Sequence, residues 1–278
     1  MFFYVINHFA PSGSARYLTA STLFAAALAV AARQVSSVLV VDGSEQPNRD
    51  LRTQLNALGV HYHHAGRTLT FAEGYNLGLS LSDQPWTILS ASDVYPSQAL
   101  FDVLSSLCRS NPGQDIGCII PQMNNVDLDL QSDRRGKLRK PIDLPLMTLN
   151  LNAFPTGYLR SIGGVPEEFS GTYNDVILSL RMFKDKRRIV LAPVSCLHYG
   201  SLTLKSGASK VSFSKDMARF AANYPDIYLE GSVFSLDFGK FTRSWRLKLL
   251  AALVKLLPPV MRQRAAMHAM RLGLRPFA

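Results

Sequence analysis

The chain has 278 residues, 47% of them hydrophobic, which suffices to bury the core of one large α/β domain with an appendage. Its three cysteines are too few and too scattered for a disulfide framework or a Cys-x-x-Cys metal site, so we expect a reducing compartment. The formal net charge of +10 is concentrated after Asp237, where nine lysines and arginines follow without an acidic residue, which predicts one basic element and no general nucleic-acid-binding surface.

The N-terminal segment does not resemble a targeting signal. Met1–Asn7 lacks the basic flank and the longer apolar stretch of a signal peptide and is typical of a strand. Leu18–Ala32, the most apolar early stretch, falls short of the roughly 20 residues that span a bilayer, and its alanines suit a buried helix. We therefore expect no secretion, no transmembrane helix and a cytoplasmic location.

Apolar runs with β propensity alternate with helix-compatible segments. The predicted strands are Phe2–Asn7, Ser37–Asp42, Val60–His63 and Trp86–Ser90, and the predicted helices between them are Arg16–Arg33, Arg49–Leu58 and Phe71–Leu81. A helix Gln98–Arg109, a strand Ile116–Pro121, a polar loop Gln122–Asp143, regular structure at Leu149–Phe154, a helix Asn174–Lys184 and a strand Arg188–Leu191 follow. This alternation predicts an α/β fold with a mainly parallel sheet flanked by helices.

The first strands end in polar residues. Asn7, Asp42 and Asp93 are thereby collected at the carboxyl ends of strands, the edge at which open α/β sheets bind ligands. Mg²⁺ or Mn²⁺ holding a diphosphate takes only one or two protein carboxylates, so Asp93 is a candidate ligand. The alternative is that Asp93 caps the helix that follows it.

Two later positions also have two interpretations each. Asp175 comes at the start of the helix Asn174–Lys184, where a carboxylate either caps the helix or faces the cleft as a general base. His198 follows a strand, and an imidazole is a good ligand for Mn²⁺, although a lone histidine is more often structural. The cluster His61, His63 and His64 is interpreted as structural, because nothing nearby in the sequence completes a metal site.

Three common motifs are absent from the sequence. It contains neither a Gly-x-x-x-x-Gly-Lys-Ser/Thr phosphate loop nor a Gly-x-Ser-x-Gly nucleophile elbow. The first strand leads into Asn7–Ala15, which lacks the Gly-x-Gly-x-x-Gly of a dinucleotide-binding fold. A P-loop hydrolase, an α/β-hydrolase and a Rossmann dehydrogenase are therefore disfavoured.

Four segments, in order, resemble glycosyltransferase family 2. They are Val38–Ser44, similar to its second strand, Phe71–Leu79, similar to the next helix, Ile88–Pro96, similar to its metal-binding Asp-x-Asp stretch, and Ser161–Phe169 with Asn174 and Asp175, similar to its acceptor-side turn and Glu-Asp pair. The resemblance spans about Val5 to Ser201. It implies a GT-A fold and an inverting transferase that uses a nucleotide sugar.

The resemblance also implies roles for individual residues. Asp42 would hold the base or ribose of the nucleotide, and Asn76 lies at the usual asparagine of the helix. The expected donor site comprises Asn7, Asp42, Asn76 and Asp93. Asp93, as the final acid of the Asp-x-Asp stretch, would bind Mn²⁺ or Mg²⁺ with His198, and Asp175 would be the catalytic base.

The sequence departs from the family pattern at two acidic positions. Ala91 replaces the first acid of Asp-x-Asp, so that metal coordination would rest on Asp93 with His198. Asn174 replaces the glutamate of Glu-Asp, whereas Asp175 remains. These changes bear more on the identity of sugar and nucleotide than on the class of reaction.

The basic C-terminal segment forms a separate unit in our interpretation. We divide the chain into a GT-A-like catalytic domain, 1–237, and a basic helical extension, 238–278. In Trp245–Leu257, Lys248 and Lys255 share one face opposite leucines and alanines, which is typical of a helix lying on an anionic membrane. The alternative is a helical subdomain that packs on the catalytic domain or on a second subunit.

The leading hypothesis is an inverting glycosyltransferase, peripheral on the cytoplasmic face of the membrane. It would move a sugar from a nucleoside-diphosphate sugar to a hydroxyl of a glycan or lipid-linked acceptor in surface polysaccharide synthesis. Ala91 and Asn174 motivate an alternative, a catalytically inactive GT-A-like scaffold that binds a nucleotide or a partner at the membrane. A peripheral membrane adaptor is a third hypothesis, against which the four matched segments argue.

Overall fold

The computed structural model describes residues 1–10, 15–110, 115–124, 126, 131–133, 137–144, 146–200 and 212–223, and the positions 245, 249, 252, 253 and 256. Within these residues the strands are β1 Phe2–His8, β2 Val35–Asp42, β3 His61–His64, β4 Trp86–Ala91, β5 Val94–Tyr95, β6 Ile116–Met123, β7 Ile142–Leu144, β8 Leu151–Pro155 and β9 Arg188–His198. They form one sheet in the order β3-β2-β1-β4-β8-β6-β9-β5, with β7 paired to β9. Because β5, β7 and β8 alone run against the other described strands, the predicted mainly parallel sheet is confirmed.

Helices cover both faces of the sheet. They are α1 Ala15–Ala31, α2 Arg49–Ala57, α3 Phe71–Ser80, α4 Leu100–Ser110, α5 Thr156–Ser161, α6 Asn174–Lys184 and α7 Phe213–Asn223. Because side chains alternate along a strand, Tyr4 and Ile6 of β1 join the core under α1, α2 and α4, whereas Phe3 and Val5 join the core under α3 and α6. The predicted α/β architecture with flanking helices is thus confirmed.

The second half of the sheet contains elements that the sequence did not indicate. β5, β7 and α5 have only 2, 3 and 6 residues, too few to show a hydrophobic period. β9 extends past the predicted end at Leu191 to His198, although Pro193 interrupts its pattern. β8 runs antiparallel between β4 and β6, and the sequence of its five residues does not encode that direction.

The segment Gln122–Asp143, predicted to be a polar loop over the site, is partly built into the core. β6 continues to Met123, and Gln131 is fully buried. The Gln131 side chain donates to the Pro121 carbonyl at 3.2 Å and accepts from the Thr148 hydroxyl at 2.6 Å. A polar residue such as Gln131 can therefore be buried in a segment without a hydrophobic period, because its side chain forms hydrogen bonds inside the protein.

Five isolated positions of the predicted C-terminal extension are described. Trp245, Leu249, Ala252 and Leu253 are helical, and 68% of Trp245 and 80% of Leu256 are exposed to solvent. The boundary at residue 238 and the rest of the extension lie outside the described residues. Among the described helices, none has the length and apolar character that crossing a bilayer would require.

A glycine lets α3 pack closely on β1. A Cβ atom added at Gly78 would clash with the Val5 side chain, whose Cγ2 would lie 3.0 Å away. The Cβ of an alanine at Gly157, in α5, would meet no atom within 4 Å. Alanine substitutions at these two glycines therefore separate the steric effect of an added methyl group from its effect on helix propensity.

We expect Gly78→Ala to lower the free energy of unfolding by about 1–3 kcal/mol, because an extra methyl in a closed contact forces α3 off the sheet. Gly157→Ala is the matched control and should raise the free energy of unfolding by up to about 1 kcal/mol, since alanine is the better helix former. Urea unfolding followed by circular dichroism measures both. Equal stability of the two variants would contradict the close α3–β1 contact.

Candidate active site

The ends of β4, β6 and β9 meet at a buried aspartate–histidine pair. The His198 Nε2 atom lies 3.4 Å from Oδ1 of Asp93, and both residues are buried. Antiparallel pairing of β5 with β9 sets Val94 opposite His198, and the Tyr199 amide donates to the Asp93 carbonyl at 3.0 Å. The His198 amide donates to Oδ1 of Asn124, just after β6, at 2.7 Å. Contacts from three strand ends therefore fix the backbone that carries the two side chains.

The pair offers a divalent cation one carboxylate and one imidazole nitrogen, a donor set that suits Mn²⁺. Within the part of the chain that the structure describes, no cluster of three or more histidine, cysteine or acidic residues forms a fuller metal site. A cation at Asp93 would then take its other ligands from phosphate oxygens and water, as Mg²⁺ and Mn²⁺ sites commonly do. Asp93 does not cap the next helix, because α4 begins only at Leu100. The residues fit the predicted cation, whose binding stays a prediction.

Asp42 lies at the end of β2 in a dense set of hydrogen bonds. Its Oδ1 accepts from the Ser44 amide at 2.9 Å, and its Oδ2 accepts from the Tyr62 hydroxyl at 2.5 Å. Burial alone would raise the pKa of Asp42, but the hydrogen bonds from Tyr62 and Ser44 and the neighbouring His8 outweigh it, so the pKa lies below its ordinary value. The carboxylate is therefore ionised at neutral pH although the residue is fully buried.

His8 is a feature of this region that the sequence analysis did not single out. It ends β1 beside Asp42 of β2, is fully buried, and contacts the Thr22 hydroxyl through Nδ1 at 2.9 Å. No residue of the described chain forms a hydrogen bond with its Nε2. The spacing of Tyr4, Ile6 and His8 on one face of β1 was the available signal that His8 points inward.

Asn7 connects β1 to the start of α3. Its side-chain amide donates to the Phe71 carbonyl at 3.0 Å, and its Oδ1 lies where a Cβ of Gly74 would be. α3 itself starts with a capping box, in which Thr70 and Glu73 bond each other's backbone amides. Asn7 thereby positions α3 at the edge of the sheet, and its predicted contact with a nucleotide stays a prediction.

Asn76 connects α3 to the turn at 163–167. Its Oδ1 accepts from the Val165 amide at 2.8 Å, and its Nδ2 donates to the Val165 carbonyl at 2.8 Å and to Glu167 at 2.7 Å. The backbone of Gly164 lies so close that an added Cβ would be 2.5 Å from the Asn76 Oδ1. The side chain of Asn76 thus holds the turn 163–167 against α3. Its predicted contact with the sugar nucleotide stays a prediction.

Asp175 is the second residue of α6 and is half-buried. The N-cap position belongs to Tyr173, yet Oδ1 of Asp175 accepts from the Val176 amide at 2.8 Å and so satisfies one amide of the first turn. Asn174 is buried, and its amide donates to the carbonyls of Pro166 at 2.6 Å and Phe169 at 3.3 Å. The structure thereby ties the start of α6 to the turn that Asn76 holds.

The predicted site residues fall into two groups. Asn7 lies at the end of β1, Asp42 at the end of the neighbouring β2, and Asp93 just after β4 on the other side of β1, where it contacts His198. Asp175 lies on α6, which is linked to the same edge through the turn 163–167 and Asn76. Strand ends thus gather the first group, and side-chain amides connect the second group to it.

The burial of His8 predicts a pH-dependent stability. Burial lowers the pKa of His8 to about 4, only partly offset by Asp42, whereas an unfolded histidine has a pKa of about 6.5. Because the unfolded chain takes up this proton first, stability present above pH 6.5 is lost as the pH falls towards 4. Between pH 7 and pH 5 we expect His8 to cost about 2 kcal/mol of unfolding free energy. Urea titrations at both pH values, on wild type and His8→Gln, measure this, and equal losses in the two proteins would contradict it.

Solved structures provide the comparison for this fold. The mannosyltransferase PcManGT from Pyrobaculum calidifontis, in complex with GDP-Man and Mn²⁺, aligns with a TM-score of 0.56 and 13% identity, covering 100% of this chain and 76% of its own. S. aureus TarS 1-349 aligns with a TM-score of 0.55 and 12% identity over 97% of this chain and 89% of its own. The complex of TarS 1-349 with UDP aligns with a TM-score of 0.53 and 14% identity, over 98% of this chain and 89% of its own.

Sequence comparison adds no closer relationship. No family model matches the chain, and no curated protein matches it. Membership of glycosyltransferase family 2 therefore stays a prediction. At 12–14% identity the structural similarity establishes the fold, and the chain has the GT-A-like fold of these neighbours.

Proposed function

We propose that the protein is an inverting glycosyltransferase that moves a sugar from a nucleoside-diphosphate sugar to a hydroxyl of a glycan or lipid-linked acceptor. The observation that carries this proposal is the buried pair of Asp93 and His198 at the ends of β4 and β9. It lies at the edge where α/β sheets bind ligands, in the fold of neighbours solved with GDP-Man and Mn²⁺ and with UDP. A carboxylate and an imidazole at that place are suited to a cation that holds a diphosphate.

Asp93 and His198 would hold the cation. A bound Mn²⁺ or Mg²⁺ supplies positive charge that stabilises the diphosphate leaving group. The protein contributes rigidity, because Tyr199 and Asn124 fix the backbone on both sides of the pair. Preorganised charge of this kind loses little free energy to reorganisation during the reaction.

The nucleoside would bind at the ends of β1 and β2. Asp42 is an ionised acceptor, held by Tyr62 and Ser44, and its carboxylate would accept hydrogen bonds from the hydroxyls of a ribose or the N–H groups of a base. Asn7 lies on the neighbouring strand, with its amide oriented by Phe71. A pocket that presents an anion to the nucleoside and a cation site to the diphosphate orients the donor along one edge of the sheet.

Asp175 would act as the general base. It takes the proton of the acceptor hydroxyl as the hydroxyl oxygen forms a bond to the anomeric carbon. At the same time the bond between that carbon and the diphosphate oxygen breaks, and the nucleoside diphosphate leaves with the electron pair. Attack from the face opposite the leaving group inverts the anomeric centre in one displacement, without a covalent intermediate.

The C-terminal extension would bring the enzyme to the cytoplasmic face of a membrane, where lipid-linked acceptors for surface polysaccharides reside. Its described apolar positions, Trp245, Leu249, Leu253 and Leu256, are each at least 52% exposed. Lysines and arginines occur between them in the sequence, and such a combination favours an anionic leaflet. Exposed apolar side chains of this spacing support membrane association over a buried helical subdomain.

A second candidate function is an inactive GT-A-like scaffold that binds a nucleotide or a partner protein. Ala91 brings no oxygen ligand to the end of β4. Asn174 has no carboxylate, and its buried side-chain amide donates hydrogen bonds to the carbonyls of Pro166 and Phe169. The scaffold would transfer no sugar, whether it binds a nucleotide or a partner protein, and this separates it from the enzyme.

Nucleotide binding tests the donor site. A panel of nucleoside diphosphates and nucleotide sugars is screened by thermal shift, with and without Mn²⁺, on wild type and Asp93→Ala. We expect one base to raise the melting temperature of the wild type only with Mn²⁺, and Asp93→Ala to lose that shift. Asp83→Ala, at an exposed aspartate before β4, is the control and should behave as wild type. A folded wild type that binds nothing in the panel would contradict the proposed donor site.

Transfer kinetics test the base. With the donor identified by that panel, Asp175→Asn should lower kcat by about 10²- to 10⁴-fold at unchanged donor affinity, because the amide keeps the shape but accepts no proton. Nuclear magnetic resonance of the product should show an anomeric configuration opposite to that of the donor. Retention of configuration would exclude single displacement, and a wild type that binds donor without transfer would support the scaffold.

A further inference from the structure

Asp216, on α7, receives five hydrogen bonds from one short loop. Its Oδ1 accepts from the Ser170 amide at 2.9 Å. Its Oδ2 accepts from the Ser170 hydroxyl at 2.9 Å, the Gly171 amide at 3.2 Å, the Thr172 amide at 3.1 Å and the Thr172 hydroxyl at 2.8 Å. The residue is only 3% exposed. One carboxylate therefore accepts hydrogen bonds from three consecutive residues of the loop 168–173.

Aromatic side chains join the same two segments. The rings of Tyr173 and Phe220, on α7, stack with their centroids 4.4 Å apart and an angle of 13° between their planes. Phe169 also packs against Phe220, at 6.2 Å between centroids. Tyr173 has a positive φ of 66°, a backbone conformation that is costly for a residue with a side chain and persists where surrounding contacts hold it.

The loop leads directly into α6. Thr172 and Tyr173 immediately precede Asn174 and Asp175, so that a shift of the loop moves the start of the helix. Asn174 holds the loop from the inside through the carbonyls of Pro166 and Phe169. Asp216, on α7, holds the same loop through Ser170, Gly171 and Thr172.

We propose that Asp216 is a positioning residue, which fixes the loop 168–173 and thereby aims the Asp175 carboxylate at the acceptor hydroxyl. This inference rests on the proposed function, in which Asp175 is the base. Asp216 itself touches neither substrate nor cation in this role. It acts through the backbone amides of Ser170, Gly171 and Thr172, which set the direction in which α6 begins.

The role requires a carboxylate. All five partners of Asp216 are donors, and an ionised carboxylate is an acceptor at both oxygens. An asparagine has nearly the same size, but its NH₂ group would face donors in place of one oxygen. Asp216→Asn therefore removes the acceptor at one of the two oxygen positions, and leaves at least one amide of the loop without its acceptor, with the smallest change in packing.

A double-mutant cycle distinguishes positioning from general support. The four proteins are wild type, Asp216→Asn, Asp175→Asn and the double variant, assayed for transfer with the donor identified for the wild type. We expect Asp216→Asn to lower kcat by about 10- to 100-fold, as a misplaced catalytic group does, with the donor KM within about two-fold of wild type. If Asp216 acts through Asp175, the double variant retains the same residual rate as Asp175→Asn.

Matched variants control for charge and for folding. Asp50→Asn removes an exposed aspartate from the first turn of α2 and should leave kcat unchanged. Thr172→Val removes a single hydroxyl donor of the loop and should lower kcat by about two- to five-fold, again without a further loss in an Asp175→Asn background. This variant replaces Asp216→Asn in the cycle if the latter does not fold, as judged by circular dichroism and by donor binding.

Three results would overturn the inference. In the first, the wild type is active, but the loss of kcat in Asp216→Asn, or in Thr172→Val, multiplies with the loss in Asp175→Asn. That result would assign these residues a role independent of Asp175. An unchanged kcat in folded Asp216→Asn would show that Asp216 does not contribute to the reaction, while the proposed transferase function stands in both cases. A wild type that binds donor but transfers no sugar would overturn the proposed function and this inference together.

Discussion

A carboxylate can be buried only where donors or a positive charge replace its water, and three buried aspartates of this chain meet that condition in different ways. Asp42 is held by a hydroxyl and amides next to it in the fold, and Asp216 by five donors of one loop. Asp93 lies against His198. Each aspartate fixes a different part of the candidate site, namely the nucleoside end, the loop before Asp175 and the pair proposed to hold the cation.

Asparagine side chains connect these parts. Asn7 joins the sheet to α3, Asn76 joins α3 to the turn 163–167, and Asn174 joins that turn to the start of α6. An amide is suited to such junctions because its NH₂ group donates to backbone carbonyls, as in all three residues, and its oxygen can also accept, as that of Asn76 does from the Val165 amide. The path from Asn7 to Asp175 therefore consists of hydrogen bonds and one helix, with no long flexible connection among its members.

The sequence was informative where the structure is periodic. The ends of the first strands could be predicted to lie together, because parallel strands finish at one edge, and Asn7 and Asp42 are found there. His198 was a candidate ligand from the sequence, but its contact with Asp93 was not predictable from spacing, since the strand that carries it continues through a proline and takes its position from pairing with β5. The partners of Asp216 could not be predicted, because Ser170 and Thr172 lie in a turn without hydrophobic period, far from Asp216 along the chain.

The antiparallel strand β8 has a consequence for the order of folding. β1, β2, β3 and β4 are neighbours in the sheet and are contiguous in the chain, so all their pairings form within residues 2–91. β6 and β9, however, reach β4 only through β8, which is synthesised after β6. An emerging chain can therefore assemble its first four strands early, whereas Asp93 stays without His198 until β8 and β9 have left the ribosome. The pair of Asp93 and His198, proposed to hold the cation, is thus expected to be among the last native contacts to form, after the ends of β1 and β2 are already in place.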